Sequence, residues 1–300
     1  ITRIGIDSLR TDRAKENFDR WQDLLKRLLV PALSLTNANS ALVSEVWALL
    51  KLYPVAVRYS VYAEWFEGQT SRLPAIKAAF ARTKLETLST MKRISKINVS
   101  PMARALAKIA YSSPGIVFGI ALSQIESYNN LTEVVVECAK HFTSLGYDVL
   151  VWSLMSALGG KDRNRTNAEF ALLPSRWLLA LSRFSGKVYK RYSILNLSPI
   201  LRYVADQLYR GNSTDLVILK ELIAQMSGIV PDTDFTNAQI HAMTGGEELR
   251  KHTLITLYDK RFESTKTSQR LMRALNESNL SGELLISIAQ HRQAAIYKIA

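Results

Sequence analysis

The sequence predicts an all-α protein, an irregular solenoid of antiparallel helical hairpins, on three observations. Apolar residues recur at spacings of three and four along the 300 residues, and no long stretch alternates as a half-buried strand does. The prolines fall where these periodic segments begin or end, not inside them. Most connections are short, which sets neighbouring helices antiparallel and strings hairpins in series. No fixed period repeats, so the series is irregular.

The first helix spans 12–28, where RAKENFDRWQDLLKRLL puts Phe18, Trp21, Leu25, Leu28 and Leu29 on one face. Helix 39–51 follows, then 54–67, which opens at Pro54 within LYPVAVRYSVYAEW. There Val55, Tyr59, Tyr62 and Phe66 form one stripe and Val57, Val61 and Trp65 a second. An inner helix packed by two neighbours needs such a surface, whereas a base-stacking platform would expose its aromatics in a basic groove. Only Arg58 keeps a functional reading of this helix open.

Helix 75–97 comes next, followed by 101–110 and 114–128. Ser100-Pro101, Ser113-Pro114 and Ser198-Pro199 each offer an N-cap hydroxyl and a proline at the first helical position, where a missing N–H costs nothing. Helices 131–145, 147–158, 174–191 and 198–210 continue the series, and 213–228 carries Leu216, Leu219, Ile223 and Met226 on one face. The break GIVPDTDFTN offers Thr236 as N-cap for 236–244. Gly245-Gly246 then reads as a corner before 246–257, because Glu247 and Glu248 would repel an anion bound there. Helices 259–276 and 282–299 complete the pattern. GGKDRNRTNAEFALLP, 159–174, is expected to be an exposed, mobile loop dividing a helical lobe at 1–158 from a second lobe at 175–300.

A hydrophobic content of 47% supports a substantial core. The single cysteine, Cys138, excludes an internal disulfide framework and reads as a small core residue in a reducing nuclear or cytoplasmic setting. The longest apolar runs, such as IVFGIAL, fall far short of the roughly 20 residues of a membrane helix. ITRIGIDSLR lacks an initiator methionine and an apolar signal core, so the sequence is expected to be a piece of a longer protein. Enzymatic signatures are absent: there is no GxxxxGK[ST], GxGxxG, GxSxG or DEAD-type motif. His141, His241, His252 and His291 lie on four separate predicted helices without metal-ligand spacing, so neither metal nor cofactor is expected.

Charge carries the functional signal. With 39 Lys plus Arg against 26 Asp plus Glu, the net charge is +13, and between Arg72 and Lys108 nine cations face one acid, Glu86. Helix 75–97 places Lys77, Arg82, Lys84, Lys92, Arg93 and Lys96 on about half its circumference, with Ile76, Ala79, Phe80, Met91, Ile94 and Ile97 opposite. Leu85 and Leu88 sit on the basic half and are expected to be covered by a neighbour. Arg104 and Lys108 continue the face. Solvated faces mix signs, and this one does not, which points to a polyanion or an acidic partner, RNA included. Arg183, Lys187, Lys190 and Arg191 form a weaker candidate cluster.

In order along the chain, LYPVAVRYSVYAEW, SPGIVFGIALSQIESYNN, FTSLGYDVLVWSL, ILRYVADQL, DLVILKELIAQMSGI and AQIHAMTGGEEL resemble the subunit 2 family of the THO complex, the large scaffold subunits of the transcription-export assembly. The resemblance implies a nuclear, non-enzymatic, HEAT-like helical scaffold that binds the other THO subunits and docks the export-pathway DEAD-box ATPase. It also implies a region similar to the middle domain of initiation factor 4G within the N-terminal half. The family supplies no catalytic residues to transfer.

Overall fold

The computed structural model describes residues 1–94, 98–128, 130–160, 163–167, 173–229 and 264–299. Among them there is no named strand, only an isolated bridge between Thr166 and Pro174, and helices make up the fold. The expected helices at 236–244 and 246–257 and the corner between them lie outside the described residues. The chain forms two compact units, Ile1–Lys161 and Asp162–Ala300.

The first unit opens with a helix the periodicity did not announce, α1 (Thr2–Thr11). It buries only Gly5 and Leu9, and packs on α4 (Ser40–Leu50). Gly5 lets the Trp21 ring lie on its backbone: a Cβ there would meet the ring at 2.8 Å. The next helix, α2 (Lys15–Leu24), does not stop near residue 28. It widens into a π-turn, Leu25–Leu29, and runs on through α3 (Val30–Ala32) into a 3-10 turn, Leu33–Leu35. Pro31 therefore sits inside a helical run, and the wide turn before it accommodates a residue with no N–H to donate. The same turn shifts the helical register, so Leu25 is buried while Leu28 faces outward.

The helix of the aromatic stretch, α5 (Val55–Phe66), buries Val61, Tyr62 and Trp65. Its Trp65 indole donates to Ser34 Oγ at 2.9 Å, and Phe66 lies against both Trp65 and Trp152. Arg58 is locked: its Nε and Nη2 donate to Asp148 at 2.8 and 3.1 Å, and Nη1 donates to the Tyr53 carbonyl at 2.9 Å. The guanidinium also lies 5.4 Å from the Trp47 ring centroid. The Tyr62 hydroxyl donates to the same carboxylate at 2.8 Å. The functional reading left open at Arg58 thus closes as a core ion pair between α5 and α10 (Ser144–Leu158).

Between them run α6 (Pro74–Arg93), α7 (Val99–Ser112), α8 (Pro114–Ser127) and α9 (Leu131–Cys138). Helix α6 packs on α7 and α8, α7 on α9, and α8 on α10. The expected serine caps do not form. Ser100 already lies inside α7, and Ser113 makes no side-chain cap bond. Proline needs no such help, since its fixed φ is already helical and it has no donor to satisfy. The break expected near residue 146 falls at Phe142-Thr143 instead, where the Thr143 hydroxyl accepts from the Gly146 N–H at 3.1 Å and starts α10.

In the second unit, α11 (Arg176–Arg191) and α13 (Leu216–Ser227) pack closely around Gly186, where a Cβ would stand 2.8 Å from Gln225 Cγ and 2.9 Å from the Glu221 carbonyl oxygen. Between them lies α12 (Ser198–Tyr209), in which Ser198 is the first helical residue rather than the cap. The unit ends with α14 (Thr265–Glu277) and α15 (Leu280–Ile299). Arg270 of α14 donates to the carbonyls of Tyr189 at 2.6 Å and Leu195 at 2.8 Å, placing a cation beside the C-terminal end of α11. Of the stretch 159–174, the described residues 163–167 and 173–174 belong to this unit and are anchored within it. Arg165 pairs with Asp215, which is fully buried, and with the Tyr203 hydroxyl, while Arg163 lies over the Trp177 ring at 4.2 Å.

Candidate functional site

Helix α6 is divided along its length. Ile76, Thr83, Thr87, Thr90 and Met91 are buried, so threonines carry much of the inward face. Their hydroxyls remain satisfiable in the core because the helix itself supplies acceptors: Thr87 Oγ1 donates to the Thr83 carbonyl at 2.7 Å. On the other side Lys77, Arg82, Lys84, Lys92 and Arg93 are exposed, and Arg104 and Lys108 are exposed on α7. Lys96 lies outside the described residues.

Two features of this face were not visible in the sequence. Leu85 is 70% exposed, so the expectation that a neighbour covers it is corrected: α7 and α8 pack on the threonine side, leaving the opposite ridge bare. Leu88 is half-buried. The second feature is a groove of about 390 Å³ between α6, α7 and the segment 34–38, into which Arg82, Glu86 and Lys108 all open. Two cations from different helices therefore share one hollow with the face's single acid.

Among the described residues, Lys77, Arg82, Lys84, Lys92, Arg104 and Lys108 make no ion pair. Arg93 only donates back to the Ser89 carbonyl at 3.1 Å. The cluster on α11 differs. Arg183 approaches Glu221 at 3.9 Å, Lys187 and Lys190 are half-buried, and Arg191 lies 5.9 Å from the Tyr192 ring centroid. Its charge is partly spent within its own unit.

Chemistry-bearing groups elsewhere are engaged in structure. Burial pushes the Cys138 thiol up to about 12, far from a nucleophile at neutral pH. Burial, and then the Asp148 carboxylate, raise the Tyr62 hydroxyl well above its usual value. Burial alone would lower Arg58, but its hydrogen bond and charge pairing with Asp148 win and raise it. His291 contacts the Leu208 carbonyl at 2.8 Å, and no group of three or more potential metal ligands occurs among the described residues. No helix among them is long and apolar enough to cross a membrane.

Residues 1–104 match the family model described as THO complex subunit 2 N-terminus, and residues 106–182 match the one described as Transcription- and export-related complex subunit. The two matches meet inside α7, so the cationic hairpin belongs to both. THO complex subunit 2 of Homo sapiens is 36% identical over 272 residues, 91% of this chain and 17% of the relative. That of Arabidopsis thaliana is 34% identical over 281 residues, covering 92% and 15%, and that of Saccharomyces cerevisiae 28% over 309 residues, covering 100% and 19%. The chain spans about a sixth of the length of the curated relatives it matches. Consecutive family models through residue 182, joined to relatives aligned over nine tenths of the chain, agree on a single assignment: the chain belongs to the THO complex subunit 2 family.

Proposed function

We propose that this chain is a non-catalytic scaffold segment of a nuclear THO complex. It binds other THO subunits and docks and regulates the export DEAD-box RNA ATPase, coupling transcription and mRNP assembly to mRNA export. The observation that carries this reading is the row of exposed cations on α6 and α7 without an ion pair among the described residues, held on a unit whose buried Arg58 is committed to Asp148. A rigid helical surface of that kind acts by binding. On the ATPase its effect would be to fix the orientation of the two RecA lobes in a half-open state, favouring turnover or release by population shift without donating a catalytic group. Isothermal titration of the chain against the purified ATPase and against the other THO subunits tests this. Binding in the micromolar range is expected, and no heat with any of them at tens of micromolar overturns it.

A second reading, sequence-nonspecific RNA binding through the same face, is favoured by the same free cations. Against it, the exposed half of α6 carries no aromatic side chain on which a base could stack. Filter binding decides. RNA retention that falls steeply with salt and is lost in Lys92→Glu/Arg93→Glu/Lys96→Glu supports RNA as a ligand. No retention at physiological salt leaves the face to a protein.

A further inference from the structure

The bare ridge of α6 has a pattern finer than its charge. Ala78, Ala81, Leu85 and Leu88 follow one another at spacings of three, four and three, the seam along which helices pair, and Lys92 continues the line. At about 100° per residue this seam lies diametrically opposite the buried stripe of Ile76, Thr83 and Thr87, pointing away from the unit. Ala78, Ala81 and Leu85 are exposed and Leu88 is half-buried. The small alanines at one end permit a close interaxial approach, and Leu85 stands up as a knob at the centre. Lys77 and Lys84 flank the seam on one side, and Arg82 and Arg93 on the other. Flanking positions of a helical seam select the partner by charge. Here the flanks carry four cations against one acid, Glu86, which stands on the Arg82 side, where Lys108 of α7 shares its groove and restores the positive balance.

We infer that the outer ridge of α6 is a docking seam for an acidic amphipathic helix of a partner protein. That helix would lay apolar residues at heptad spacing against Ala78, Ala81, Leu85 and Leu88, and set Asp or Glu opposite Lys77, Lys84, Arg82 and Arg93. The inference rests on the scaffold reading and adds the class of ligand. A nucleic acid would use the cations but has no use for the leucine. A solvated face would have no reason to align apolar residues at this period between like charges.

The test is fluorescence anisotropy of the chain with two labelled peptides of identical composition at physiological salt. One carries Leu at the seam positions and Glu on both flanks, and the other has the same residues scrambled out of heptad phase. The heptad peptide is expected to bind about tenfold or more tighter than the scrambled one, and Leu85→Asp to weaken it by at least about tenfold. Leu85→Met should be nearly neutral. Leu85 is exposed, so the variants fold, which circular dichroism melts verify. Equal binding of both peptides, or indifference to Leu85→Asp, overturns the seam. So does a 20-nucleotide RNA that outcompetes the heptad peptide and ignores Leu85→Asp. Run beside the titration against THO subunits and the ATPase, the experiment separates the two claims. Partner binding without heptad selectivity removes the seam alone, and loss of all partner binding removes the scaffold reading itself.

Discussion

Removing the Asp148 carboxylate should unfold the first unit well before the second. Arg58 and Asp148 are only 12% and 11% exposed at their side chains, and the carboxylate accepts two guanidinium bonds and the Tyr62 hydroxyl. In Asp148→Ala the guanidinium keeps the Tyr53 carbonyl and the face of Trp47, but its charge is uncompensated. Deleting one partner of a buried pair costs about 3–5 kcal/mol, and an orphaned hydroxyl alone about 1–3 kcal/mol. Water reaching a site that is not fully closed recovers part of this, so about 3–5 kcal/mol is expected in all. Urea unfolding followed by tryptophan fluorescence reads it, because four of the five tryptophans, Trp21, Trp47, Trp65 and Trp152, lie in the first unit. The slope should stay constant while the midpoint falls. The triple variant Arg58→Met/Tyr62→Phe/Asp148→Leu, which removes donors with the acceptor, should regain most of the loss. A cost below about 1 kcal/mol in Asp148→Ala, or a triple variant no better than the single, would refute this account of the network.

Other expectations follow from the same packing. Asp215→Ala strands Arg165 and the Tyr203 hydroxyl around a fully buried site, so the second unit should lose about 3–5 kcal/mol, read by hydrogen exchange of α11 and α13. Gly186→Val drives a side chain into the α13 backbone and should cost at least about 1–3 kcal/mol in urea, unlike a substitution at the open Gly119. Burial lifts Cys138 from 9.0 to about 12, and Tyr53 and Tyr203 from 10.0 to about 12. Folded values above unfolded ones mean stability that is whole below about 9 and lost as the pH climbs toward about 12. Calorimetry should find a melting temperature that is level from pH 7 to about 9 and falls above it, less so in Cys138→Ala.

The helical class and most helix positions were legible because both depend on local pattern. Apolar spacing and proline placement are read within one segment, and the burial of Val61, Tyr62 and Trp65 follows from a helix apolar on two sides. What escaped was set by distant residues or by too little apolar surface. Helix α1 buries a glycine and one leucine, which no periodicity search finds. The π-turn that rotates Leu28 outward answers to Pro31, three residues past the expected end. Arg58 meets its carboxylate 90 positions along the chain, so its role as a core ion pair had no local signature. The threonines of α6 were invisible for another reason: a residue classed as polar can fill a core when its hydroxyl bonds back to its own helix.

The cations of α6 gain meaning from how the chain treats its other surface charges. Arg20 pairs with Glu16, Arg27 with Asp23 and Arg210 with Asp206, each at the i,i+4 spacing that stabilises a helix by about 0.3–0.5 kcal/mol. These three arginines have a counter-charge one turn away. The lysines of α6 have no such partner: no position three or four residues from Lys77, Lys84 or Lys92 holds an acid, and its one acid, Glu86, one turn after Arg82, opens into the groove without an ion pair among the described residues. A surface kept basic for solubility could hold the same net charge with interspersed acids and gain those pairs. Forgoing them on one ridge leaves a predominantly positive field around exposed Leu85, which is the field that the proposed acidic partner helix would relieve.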